Sequence, residues 1–158
     1  MNEKEYNDMI GKRGEQIIFK YLEICGRNPE FSSNKFDPEK DIICDGKKIE
    51  VKTGQPYVVK NCLSSGFNQL NKCKSCDELY FISTPPLMNL NYKHGGKIFR
   101  VIPSLFEYFE YTTSRGTHMF GVPIEQPGVF EIAVLSKKTN DWFIKHARSD
   151  YNNWKKVA

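Results

Sequence analysis

Asp45-Gly46 separates Asp41-Ile42-Ile43-Cys44 from Lys47-Lys48-Ile49-Glu50-Val51-Lys52. A tight-turn dipeptide between two alternating segments leaves few folds open. A two-residue β-hairpin turn needs positive φ at both central residues, which Asp and Gly tolerate. Such a turn sets the pairing: Cys44 faces Lys47, Ile43 faces Lys48 and Asp41 faces Glu50. Side chains alternate across a strand. Ile42, Cys44, Ile49 and Val51 therefore share one apolar face that suits a core. Asp41, Glu50 and Lys52 share the other.

Directly opposed residues hold their Cβ atoms about 5 Å apart, and like charges there destabilise the pair. Protonation of one carboxylate relieves the repulsion. A divalent cation between them does so too. Mg²⁺ is commonly held by one or two carboxylates together with phosphate oxygens and water. Lys52 stands two residues beyond Glu50 on the same face, placed to contact a phosphate or orient a water. Two carboxylates, a lysine and a metal suit metal-assisted phosphodiester hydrolysis. The triplet acidic-x-Lys carries no weight alone, since about 2 copies arise by chance in such a composition. Asp45-Gly46-Lys47 is one of these, and it sits in the turn. The plain alternative is an exposed edge hairpin with its charges in water.

The rest of the chain reads as one α/β domain spanning residues 1–158, by its length and its alternation of elements. Tyr6, Met9, Ile10, Ile17, Ile18, Tyr21, Leu22 and Cys25 form a helical stripe over residues 5–25, and Gly26 is a natural stop. Residues 28–38 are polar and irregular, with a short strand near Phe31. A helix is expected over residues 64–74. Leu79-Tyr80-Phe81-Ile82-Ser83 reads as a buried strand ended by Pro85-Pro86. Residues 97–102 form a further strand, and Pro103 is expected to open a helix through residue 111. Residues 129–135 fit either a strand or a helix. Residues 151–157 are expected to form a short terminal helix.

Hydrophobic residues make up 39% and charged residues 27% of the chain, which suits a globular protein rather than a disordered one. No apolar run approaches the roughly 18 residues that span a bilayer. The charged start is read as having no signal peptide behind it, so the five cysteines are expected as free thiols in a cytoplasmic protein. The net charge of +4 resides entirely in residues 137–158. That segment has Lys137, Lys138, Lys145, Arg148, Lys155 and Lys156 against two aspartates, with Trp142, Phe143, Tyr151 and Trp154 between them. Basic groups neutralise phosphates and aromatics stack on bases. A solvated face with inward-packed aromatics is the other reading.

Asp41 followed by Glu50-Val51-Lys52 resembles the PD-(D/E)XK nuclease superfamily, with its restriction-endonuclease-like fold. Gly11-Lys12-Arg13-Gly14-Glu15, then Leu22 and Gly26, is similar to the glutamate-bearing first helix of archaeal-type Holliday junction resolvases and Mrr-like enzymes. Gln69 ahead of the Leu79 strand, and Lys97-Ile98-Phe99-Arg100-Val101-Ile102-Pro103, look like later elements of that group. The likeness covers about residues 10–111. It implies a mixed central β-sheet flanked by helices. It also implies a Mg²⁺-dependent DNA endonuclease, with Mn²⁺ able to substitute. Asp41 and Glu50 would ligate the metal, Lys52 would position the attacking water, Glu15 would support the metal shell, and Gln69 would be an accessory contact. Asp37 and Glu39 rival Asp41, which alone lies opposite Glu50 without a bulge. Lys12 and Arg13 join the basic residues of the C-terminal segment as nucleic-acid contacts. The expected partners are duplex or branched DNA and a second copy of the chain in a homodimer, with no membrane.

Site-specific type II restriction and junction-resolving or repair-type cleavage both fit these residues. A non-catalytic binding module is the alternative from another class. It would be either an inactive nuclease fold or a KH-like domain, since Ile10-Gly11-Lys12-Arg13-Gly14 resembles the KH signature. Cys62, Cys73 and Cys76 could suggest zinc, but packed free thiols fit better. No His-x-Glu precedes the Cys pair and no phosphate-binding glycine loop is present, which argues against a zinc deaminase and a nucleotide triphosphatase.

Overall fold

The computed structural model describes residues 3–32, 42–59, 62–67, 70, 75–83, 96–138 and 141–147. They form a mixed α/β structure with one helix and a ten-stranded, mostly antiparallel sheet. The strands are β1 (Pro29–Phe31), β2 (Ile42–Cys44), β3 (Lys47–Val59), β4 (Cys62–Phe67) and β5 (Glu78–Ser83). They continue with β6 (Lys97–Val101), β7 (Phe109–Thr112), β8 (His118–Pro123), β9 (Val129–Lys138) and β10 (Asp141–Ala147). The main order is β10-β9-β6-β5-β3-β4-β8-β7, with β2 also paired to β3 and β1 to β2. β3 and β5 run parallel; every other pair is antiparallel.

Helix α1 (Glu3–Ile24) ends where Gly26 adopts φ +77°. Gly26 N–H donates to Glu23 O and Arg27 N–H to Leu22 O, the paired closure that a left-handed residue after the last turn permits. Ile17, Ile18, Tyr21 and Leu22 are buried against Ile42, Cys44, Ile49, Tyr80, Ile82, Ile98 and Leu135. At 22 residues the helix is about 33 Å long, enough to touch β1, β2 and β3 on one side and β10 on the other. The opposite sheet face buries Leu70, Leu79, Phe81, Phe99, Val101, Phe106 and Val122. None of the described helices is long and apolar enough to cross a membrane.

Three expectations change. Residues 64–67 are not helical but belong to β4, which β3 and β8 flank on either side. Ser64-Ser65-Gly66 are weak helix formers, and ladder bonds on both edges outweigh a helix there. Pro103 does not open a helix through residue 111. Leu105 and Phe106 N–H both donate to Ile102 O, making a single turn. The Gln126 side chain then donates to Glu107 O and accepts from Glu107 N–H, occupying the groups a helix would use. Phe109–Thr112 continue as β7. The sheet is therefore flanked by one described helix rather than several. Residues 129–135 are strand, and residues 151–157 lie outside the described residues.

Candidate functional site

The β2–β3 hairpin forms as its turn dictates. Asp45 and Gly46 have φ of +52° and +76°, the mirror-image turn whose twist matches the flanking strands. Cys44 pairs with Lys47, Ile43 with Lys48 and Ile42 with Ile49. Ile49 and Val51 pack into the core beneath α1, so the alternation turns Glu50 and Lys52 to the opposite face. There Lys52 Nζ lies 3.8 Å from Glu50 Oε1, and each side chain is 25% exposed. Across the parallel ladder Glu50 stands beside Leu79 and Lys52 beside Phe81. The site is thus one carboxylate and one ammonium, water-accessible, at the rim of a buried apolar layer.

The start of β5 is tied to this strand. Asp77 N–H donates to Lys48 O at 3.1 Å, and the Asp77 carboxylate accepts from Lys48 N–H at 2.8 Å. The preceding residue, Cys76, packs half-buried against the layer beneath Glu50 and Lys52. Burial and then the Glu50 charge push its thiol up to about 11, so it is a protonated thiol rather than a nucleophilic thiolate at neutral pH.

Glu15 lies on α1, half-buried, next to Gly14. At Gly14 helix and strand approach closely: a Cβ there would collide with Thr53 Oγ1 and reach Ile82 Cδ1 at 3.4 Å. Thr53 follows Lys52 and faces the helix, which brings this part of α1 against the strand that carries Glu50 and Lys52. Lys12 is exposed and Arg13 half-buried on the same helix. Helical residues run unbroken through Gly11–Gly14, so the loop that a KH-like reading requires is not formed.

Asp41, its rivals Asp37 and Glu39, and Gln69 lie outside the described residues. So do Cys73, Arg148, Lys155 and Lys156. Among the described residues no group of three or more His, Cys, Asp or Glu comes together to hold a metal. Lys137 and Lys138 end β9, and Lys145 sits at an irregularity in β10 between Ile144 and His146. Three and four strand spacings separate these strands from β3, about 14–19 Å across the sheet.

The sequence reading missed a buried charge network. Arg27 donates to both Glu78 carboxylate oxygens at 2.7 Å and through Nε to Asp45 at 3.0 Å. Tyr80 O–H donates to Glu78 Oε1 at 2.9 Å. The Arg100 guanidinium lies 5.3 Å over the Tyr80 ring and donates to Leu79 O and Val101 O at 3.2 and 2.7 Å. Burial pushes the Glu78 carboxyl up, but Arg27, Arg100 and the Tyr80 hydroxyl outweigh it and hold Glu78 below its ordinary range. Burial first, and then the Glu78 charge and hydrogen bond, raise the Tyr80 phenol; burial lowers Arg100 against the raising charges of Tyr80 and Glu78. The hydrogen bond from Arg27 likewise lowers Asp45.

This network ties the end of α1, the hairpin turn and the start of β5 together, and so holds β3 beside β5. Its sequence signal is a charge inside an apolar run, Glu78 before Leu79-Tyr80-Phe81 and Arg100 within Ile98-Phe99-Arg100-Val101. Buried charges must be paired. The partners lie 18 and 51 residues apart, which no local pattern reveals.

Comparison with known protein families, characterised proteins and solved structures finds no match for this chain.

Proposed function

We propose that the chain is a Mg²⁺-dependent DNA endonuclease of restriction-endonuclease-like fold, hydrolysing phosphodiester bonds at the β2–β3 hairpin. The observation that supports this reading is the Glu50–Lys52 pair. It lies half-buried on the face of β3 opposite α1, with the side chains 3.8 Å apart. The hairpin pairs Ile42 with Ile49, and in this proposal Asp41 would stand opposite Glu50. Asp41 and Glu50 would hold the cation, which supplies charge stabilisation to the scissile phosphate. Lys52 pairs with a phosphate oxygen or orients the attacking water. Glu15 and Gln69 are supporting residues in this proposal. Lys12, Arg13 and the basic residues of the C-terminal segment neutralise the DNA backbone. One such domain supplies one site, so cutting both strands of a duplex implies a two-fold homodimer.

The test offers supercoiled plasmid, linear duplex, single strand and a four-way junction to the purified protein with Mg²⁺, Mn²⁺ or EDTA. Cutting is expected with either metal and not with EDTA. Glu50→Gln and Lys52→Met should each abolish it while leaving the circular dichroism spectrum and DNA binding intact. Discrete fragments would assign site-specific restriction; junction preference would assign a resolving or repair role. Full activity in both variants would overturn the site. Salt-sensitive DNA binding without cutting of any substrate would leave a non-catalytic binding module instead. Sedimentation of an active species as a monomer would overturn the homodimer.

A further inference from the structure

We draw no further inference here: the strongest candidate, the half-buried Cys76 thiol in the turn before β5, adjoins the site already described and is a lone cysteine, with nothing in the structure to show what it would hold.

Discussion

Replacing Arg27 with alanine strips Glu78, 2% exposed, of two hydrogen bonds and its main counter-charge. Removing one partner of a buried pair costs about 3–5 kcal/mol, because the other charge stays buried. Protonation caps that cost. An unpaired buried glutamate is pushed well above its ordinary range and takes up a proton, whereas in an unfolded chain its value is about 4.3. Taking up the proton at pH 7 costs about 1.4 kcal/mol for each of roughly 2.7 pH units, or about 3.7 kcal/mol. The Arg100 charge and the Tyr80 hydroxyl still act on Glu78, so the expected loss is about 3 kcal/mol. The lost bond to Asp45 is exposed and adds little.

The pH dependence separates this account from a general packing defect. In the wild-type protein Glu78 is held below its ordinary range. Its contribution is full above the unfolded value and is lost as pH falls through the lower folded value. In the variant the folded value is raised, so acidification toward about 4.3 returns stability. The gap between the two proteins should therefore narrow from about 3 kcal/mol at pH 7 to about 1 kcal/mol at pH 5. Urea unfolding followed by circular dichroism at both pH values reads this directly. At pH 7 the melting temperature should drop by about 6–12 °C. A loss under about 1 kcal/mol at pH 7, or a gap that does not narrow on acidification, refutes the reasoning. Arg27→Met combined with Glu78→Gln removes both charges, keeps an acceptor for Tyr80, and should recover most of the loss.

Gly14→Ala forces a methyl group into the Thr53 side chain and should lower stability by about 1–3 kcal/mol; adding Thr53→Ala should restore most of it in the same melts. Gly46→Val places a β-branched residue at φ +76° and should cost about 1–2 kcal/mol, seen as a lower urea midpoint with an unchanged slope. Cys76, half-buried with its thiol pushed up to about 11, should react with iodoacetamide at pH 8 at least about tenfold more slowly than exposed Cys25. Peptide-resolved mass spectrometry checks that difference, and equal rates would contradict the burial of Cys76.

The hairpin, the helix and the central strand were legible from residues alone. Asp45-Gly46 demands positive φ wherever it occurs between alternating segments, so the turn, the register of Ile42 on Ile49 and the shared face of Glu50 and Lys52 followed within ten residues. The stripe from Ile17 to Leu22 and the stop at Gly26 are equally local, as is the apolar run of β5. The parts decided in three dimensions concern backbone groups whose partners lie far along the chain. Ser64-Ser65-Gly66 become strand because β3 and β8 offer ladder bonds on both edges. Residues after Pro103 leave the helical path because Gln126, nineteen positions from Glu107, takes up its backbone bonds. Glu78, set before an apolar run, signals a charge needing a partner, whereas Arg27 between Gly26 and Asn28 carries no such signal. Only the packing of the helix end against the hairpin turn and β5 made them partners of each other, because a buried charge is satisfied by whatever the fold brings within hydrogen-bond reach and not by its neighbours in sequence.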